Sequence, residues 1–130
     1  MNTKLDKILA EISAGELIDK ITILEIKTKM ITDQNKLKEL KKELLLLKKV
    51  IIKKNINLRK IRSDTNKLKK INQKLWFIED KKRKHEKLKL FDKNFIKLAR
   101  DVYRLNDKRA NFKLNINKIT GSNIIEVKSY

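Results

Sequence analysis

The chain of 130 residues contains no proline and only two glycines, Gly15 and Gly121. Proline interrupts a helix because it lacks a backbone N–H, and glycine supplies many of the tight turns of β proteins. A chain with so few of either residue favours long helices over a many-turned β fold. Hydrophobic residues make up 40% of the chain and recur periodically, which argues against disorder. The length is that of a single domain, residues 1–130.

Polar residues predict where the first two helices begin. Ser13 and Glu16 have the spacing of a capping box, so we expect a helix that begins there and runs to about Ile31. Asp33 then has the character of a second N-cap.

A heptad stripe predicts helical structure through the middle of the chain. It consists of Leu37, Leu40, Leu44, Leu47, Ile51, Leu58, Ile61, Leu68 and Leu75. Residues 35–88 form either one helix or two, because two polar segments, 55–57 and 63–66, can interrupt the stripe. We favour a break at 63–66, where Ser63 or Asp64 can cap a new helix.

The last helix is predicted between Asp92, an N-cap, and Gly121, a terminating glycine. Its apolar stripe is Phe95, Leu98, Val102, Leu105, Phe112, Ile116 and Ile119, interrupted by Arg109. Residues 8–12 and 124–127 alternate as short strands do and predict extended ends that pair as a minimal ribbon. The expected fold is all-α: an antiparallel bundle or long helical hairpin of three to four helices with short extended ends. Because each helix has a single seam, we expect a homo-oligomer, most simply a homodimer.

Charge and composition restrict the function. The net charge of +19 predicts attraction to polyanions, although a composition rich in Lys, Asn and Ile is also what an AT-rich genome encodes. No cysteine is present, and the one histidine, His85, lies in a lysine-rich run where we expect it to be exposed. No phosphate-binding glycine loop, catalytic triad or metal-binding spacing is found. The longest apolar run, residues 44–47, is too short to span a membrane, so we expect a soluble, cytoplasmic protein.

Three groups of polar residues are unusual for a solvated surface. They are Glu16, Asp19, Lys20 and Lys27 in the first helix; Asn72, Trp76, Glu79, Asp80 and Arg83 in the middle; and Arg100, Tyr103, Asn106, Asp107 and Arg109 in the last helix. Each group has a structural alternative, such as compensation of the helix dipole or ion pairs along one helix. Arg109 occupies a core seam beside Lys113, so we expect it to meet a carboxylate of Glu79, Asp80 or Asp19.

Several segments resemble a known family. Residues 11–27 (EISAGELIDKITILEIK), residues 72–83 with their LWFIED core, residues 99–110 (ARDVYRLNDKRA) and the KSY ending resemble an uncharacterised bacterial and phage family. That family is catalogued only as a domain of unknown function. The resemblance covers nearly the whole chain except residues 33–66. It implies an all-α fold and implies that the unusual polar residues are family features, and it supplies no reaction.

Three functions follow as hypotheses. The first is a binding module that presents a lysine-rich face to nucleic acid or another polyanion. The second is an enzyme or ligand binder for a phosphorylated small molecule such as a nucleotide or nucleotide-sugar. There, acidic residues hold a divalent ion while arginines bind phosphate; the acids are Glu16, Asp19, Glu79, Asp80 and Asp107, and the arginines are Arg83, Arg100 and Arg109. The third is a helical adaptor for another protein. The sequence assigns no cofactor, and whether the protein is an enzyme stays open. The terminal segment, residues 126–130, either docks in a groove or frays.

Overall fold

The computed structural model describes residues 4–129, which form four helices and no strand. The helices are α1 (Ala14–Met30), α2 (Gln34–Lys53), α3 (Arg62–Leu88) and α4 (Lys93–Thr120). The all-α prediction is therefore confirmed. None of these helices is long and apolar enough to cross a membrane.

The predicted helix ends are confirmed where a side chain makes a local hydrogen bond. Ser13 Oγ accepts from the backbone N–H of Glu16 at 3.1 Å and begins α1. Asp33 and Asp92 accept from the N–H groups three residues on, at the starts of α2 and α4. Gly121 ends α4 with a left-handed φ of 68°. Each of these signals acts over three or four residues, which is why the sequence alone is sufficient to find them.

The predicted position of the break within residues 35–88 is wrong. The chain leaves the helix after Lys53 and turns at Asn55, whose φ of 53° is left-handed. Asparagine adopts that conformation at lower cost than most residues. Ser63 and Asp64 lie inside α3, and the residue that precedes the helix, Ile61, makes no side-chain cap but is fully buried. Burial of Ile61, rather than capping, therefore fixes the start of α3.

Three further expectations about surface and ends are corrected. Residues 8–12 and 124–127 do not pair as a ribbon; the two ends meet through a side-chain hydrogen bond from Asn123 Nδ2 to Glu11 Oε2 at 2.6 Å. Ile119, placed in the apolar stripe of α4, is 45% exposed. His85 is not free in solvent, because its Nδ1 lies 3.0 Å from the carbonyl oxygen of Leu90 in the α3–α4 turn. Tyr130 lies outside the described residues.

Helix α1 is the centre of the fold. It packs against all three other helices, α3 and α4 form an antiparallel hairpin, and α2 packs against α1 alone among the four helices. The core joins the apolar residues of α1 to single residues of the other elements. Its members are Leu17, Ile18, Ile21, Ile51, Ile61, Leu68 and Ile116. Because α1 is covered on several sides, its polar residues Asp19 and Thr22 are also fully buried.

The heptad stripe of α2 faces α1. Leu44 and Leu47 pack against the core, while Leu45 and Ile52 on the outer side are 56% and 75% exposed. These exposed apolar residues outside the seam are compatible with a homo-oligomer, and the oligomeric state remains a prediction.

Helix α1 crosses the α3–α4 hairpin diagonally. Its first turn lies on α4, where Gly15 N donates to Asn117 Oδ1 at 2.6 Å. Its second half lies on α3, where the carboxylate of Glu25 is 3.7 Å from Lys69 Nζ. Asp19 lies at the crossing and therefore faces both helices of the hairpin.

The first turn of α1 packs closely against α4, with no room for a side chain at Gly15. A Cβ at Gly15 would overlap the carbonyl oxygen of Lys113 and lie 2.9 Å from Asn117 Oδ1. The N–H of Ala14 donates to Ser122 Oγ at 3.0 Å. Side chains at the end of α4 thus satisfy N–H groups that the start of any helix leaves free. Glycine is required at position 15 by this close approach.

We expect Gly15→Ala to lower the free energy of unfolding by about 2 kcal/mol, the cost of overpacking. Gly121→Ala is the contrasting variant, because a Cβ there meets open space and only the left-handed backbone is strained, at about 1 kcal/mol. Urea denaturation of both variants measures the difference. A Gly15→Ala protein as stable as the wild type would contradict the packing of α1 on α4.

Candidate functional site

Asp19 is a fully buried carboxylate held by two other helices. Arg109 of α4 approaches it with two nitrogens, and the Nε hydrogen bond to Oδ1 measures 2.9 Å. Asn72 Nδ2 of α3 donates to the same Oδ1 at 2.9 Å. Of the three acids expected for Arg109, Asp19 is therefore the one it meets. The hydrogen bond to Asp19 raises the pKa of Arg109.

The polar contacts around Asp19 form one connected group, which we call the Asp19 network: Asp19, Thr22, Asn72, Asn106 and Arg109. Asn72 Nδ2 also lies 2.9 Å from Thr22 Oγ1, and Thr22 Oγ1 donates to the backbone oxygen of Asp19 at 2.8 Å. Asn106 Oδ1 accepts from Arg109 Nη1 at 3.4 Å. Because the network joins α1, α3 and α4, it holds these three helices together.

A second ion pair lies one turn away on the same two helices. Lys113 is buried, and its Nζ lies 2.7 Å from Glu16 Oε2 and 3.1 Å from Glu126 Oε2. Burial alone would lower the pKa of Lys113, but hydrogen bonds to Glu16 and then to Glu126 outweigh it and raise the pKa. The hydrogen bond from Lys113 lowers the pKa of Glu126. Lys20 is 3.7 Å from Glu16 at the exposed edge of this pair.

Beside the Asp19 network is a cavity of about 300 Å³ between α1 and α3, which we call the α1–α3 groove. Its walls are Ile23, Ile26, Asn72, Leu75, Trp76, Glu79, Asp80, Arg83 and Arg109. Six of these residues were singled out from the sequence, in two separate groups. The structure therefore brings the middle group together with Arg109 of the last group.

The groove combines three kinds of surface. Trp76, the one tryptophan of the chain, adjoins the apolar side chains of Ile23 and Ile26. Glu79 and Asp80 supply carboxylates, and Arg83 supplies a guanidinium. A volume near 300 Å³ is at the lower end for small-molecule sites, which are usually apolar clefts with a few polar groups.

The remaining predicted residues do not reach the groove. Arg100 and Tyr103 lie on the exposed side of α4, where Arg104 and then Arg100 lower the pKa of Tyr103. Lys27 is partly buried in α1 outside the groove. Asp107 lines a different cavity, next to the C-terminal segment.

The acids predicted to share a divalent ion lie apart. Glu16 binds Lys113, Asp19 binds Arg109, and Glu79 and Asp80 lie on the groove. Within residues 4–129, no three Asp, Glu or His side chains come close enough together to hold a metal ion.

Two adjoining cavities of about 380 and 360 Å³ lie where the C-terminal segment crosses α4, and we call them together the tail cleft. Lys113, Glu126 and Lys128 line both of them. Asp107 and Asn117 line the first, and Asn106 and Arg109 the second.

Sequence reasoning did not place Asn117 in any site, and it considered Lys128 only as part of the terminal segment that either docks in a groove or frays. The available signal was the recurrence of Arg109, Lys113 and Asn117 at every fourth position, which puts three polar residues on one buried face of α4.

Loss of the buried ion pair should be strongly destabilising. We expect Asp19→Asn, which keeps the shape, to lower the free energy of unfolding by about 3 kcal/mol because Arg109 keeps an uncompensated charge. The control is Glu25→Gln, which breaks the more exposed pair with Lys69 and should cost less than about 1 kcal/mol. Thermal and urea unfolding of both variants test this difference. Equal losses would mean that the Asp19 network does not organise the fold.

Comparisons with known proteins yield a family and no function. No match to the chain was found among curated proteins or among solved structures. A family model described as a family of unknown function, DUF6165, matches residues 8–130. This match covers almost the entire chain, including the Asp19 network, the groove and the tail cleft. The chain therefore belongs to the family of unknown function DUF6165.

Proposed function

We propose that the protein binds a phosphorylated small molecule that carries a ring and hydroxyl groups, such as a nucleotide or nucleotide-sugar, in the α1–α3 groove. The observation that supports this proposal is the convergence of Trp76, two carboxylates and Arg83 on one cavity. These side chains come from two turns of α3, so the helix fixes the relative positions of their Cα atoms.

Each surface of the groove suits a different part of such a ligand. The Trp76 ring offers a face on which a base or a sugar can stack. Glu79 and Asp80 accept hydrogen bonds from hydroxyl or amino groups. Glu79 is steadied by Lys82, whose Nζ is 3.4 Å away.

Arg83 is the residue best suited to bind the phosphate. Arg109 is already engaged by Asp19, whereas Arg83 is exposed and forms no ion pair among the residues described. A guanidinium binds phosphate with two parallel hydrogen bonds. The proposal needs no metal ion.

The single tryptophan gives a direct measurement. Titration of ADP, UDP and glucose 1-phosphate should change Trp76 fluorescence saturably for at least one of these probes. Arg83→Ala should weaken that binding by about tenfold or more, since a hydrogen bond to a charged group contributes about 1.5–3 kcal/mol.

The matched control is Arg62→Ala, which removes the same charge from an exposed position of α3 outside the groove. If no probe gives a saturable signal, or if the two variants bind alike, the groove is not a phosphate-ligand site.

A second candidate function, binding of nucleic acid or another polyanion, is favoured by the outer face of α2. Lys38, Lys42, Lys49 and Lys53 are exposed and follow one row, which we call the α2 lysine row. The row is about 22 Å long at 1.5 Å per residue. None of the four lysines forms an ion pair among the described residues.

Such binding would depend on phosphates rather than bases. The row contains no arginine or aromatic residue, and those residues are the usual readers of base edges and stacked bases. Affinity would then fall steeply with salt through counterion release.

Changing the four lysines of the α2 lysine row to glutamine should weaken binding of a fluorescent 20-mer duplex and reduce the salt slope by about 3.6. The control changes Lys81, Lys84, Lys93 and Lys97, four exposed lysines of α3 and α4, to glutamine. Fluorescence anisotropy from 50 to 200 mM salt compares the two. Equal losses would show that only net charge matters and that the row is not an interface.

A further inference from the structure

The C-terminal segment returns across α4 after Gly121. Ser122 N donates to the backbone oxygen of Asn117 at 2.9 Å, and Ser122 Oγ accepts from the N–H of Ala14. Beyond it, residues 123–129 have no helix or strand, apart from a bend at Asn123. The carboxylate of Glu126 reaches Lys113 at 3.1 Å. The segment is thus attached to the tail cleft largely through one carboxylate.

Arg109 connects the tail cleft with the α1–α3 groove. Its side chain lines the groove on one side and the tail cleft on the other. Arg109 is therefore a shared wall, and a ligand longer than the groove would extend past Arg109 toward Lys113 and Lys128.

The carboxylates that neutralise the cations of the tail cleft differ in how firmly the fold holds them. Asp19 and Glu16, which neutralise Arg109 and Lys113, lie on α1 within the packed fold. Glu126 lies on a segment without regular structure, is 45% exposed and is also 3.8 Å from Lys128. An ion pair made by such an exposed carboxylate is weak. Of the three carboxylates that form ion pairs with Arg109 and Lys113, Glu126 is the one that a ligand can replace.

We propose that the tail cleft is the phosphate end of the ligand site and that Glu126 is an internal carboxylate which the ligand's terminal phosphate displaces. The inference rests on the proposed function of the groove and specifies its ligand class as an elongated one, a nucleoside diphosphate or a nucleotide-sugar. The ring and sugar occupy the groove, the first phosphate meets Arg83, and the distal phosphate takes the place of Glu126 beside Lys113 and Lys128. No covalent step is involved.

Two variants that should change ADP affinity in opposite directions test the inference. With ADP as the probe, Glu126→Gln should bind about two- to fivefold more tightly, because the competing carboxylate has lost its charge. Lys128→Gln should bind about two- to fivefold more weakly, because it removes a cation of the cleft. Trp76 fluorescence and calorimetry give both affinities, and both positions are exposed, so the fold should be unaffected.

Controls separate a local effect from a change of net charge. Glu39→Gln removes a carboxylate from the exposed side of α2 and should leave ADP affinity unchanged. Adenosine, which has no phosphate, should bind all three variants as it binds the wild type. In the wild type, ADP should also shift the amide resonances of residues 123–129 toward those of a free segment.

The outcomes distinguish the two proposals. If Arg83→Ala loses ADP binding while Glu126→Gln and Lys128→Gln behave as the wild type, the groove site stands and the role of Glu126 is refuted. If Glu126→Gln weakens binding, the tail is part of the site rather than its competitor, and the inference is again refuted. If ADP produces no saturable change in any protein, both the groove site and this inference fall.

Discussion

The buried carboxylate of Asp19 is the constraint on which the arrangement of three helices depends. A charge with no exposed surface is tolerated only when it is paired and hydrogen-bonded, and here the partners come from two other helices, Arg109 of α4 and Asn72 of α3. Apolar contacts alone allow helices to slide or rotate with modest loss. The directional contacts of Asp19 do not, so they fix where α1 crosses the α3–α4 hairpin.

The position of that crossing creates both cavities of interest. Because α1 lies diagonally, it leaves the α1–α3 groove on one side of Arg109 and the tail cleft on the other. In this ion pair Arg109 donates hydrogen bonds from Nε and Nη2 to Asp19. Arg83 is therefore the available guanidinium of the groove. In the proposed site, the structural role therefore belongs to Arg109 and the ligand-binding role to Arg83, so a variant of Arg109 tests the fold before it tests binding.

The positive charge of the chain has a spatial organisation that its net value of +19 does not convey. Where α1 meets α4, Asp19 forms an ion pair with Arg109. Glu16 and Glu126 form ion pairs with Lys113. The outer face of α2, by contrast, carries the α2 lysine row, whose four lysines form no ion pair within residues 4–129. Polyanion binding and ligand binding thus call on different surfaces, and neither proposal requires the other.

The sequence by itself determined the features that depend on near neighbours. Ser13, Asp33 and Asp92 cap helices through hydrogen bonds that span three residues, and the stripe of α2 follows from the helical period. It also predicted that Arg109 would pair with a carboxylate. Only the tertiary structure decided that Asp19 supplies it, that the predicted acids do not meet, and that the break before α3 is set by the burial of Ile61. The reason is that capping and periodicity are local, whereas ion pairs and burial depend on which helices pack side by side and at what angle.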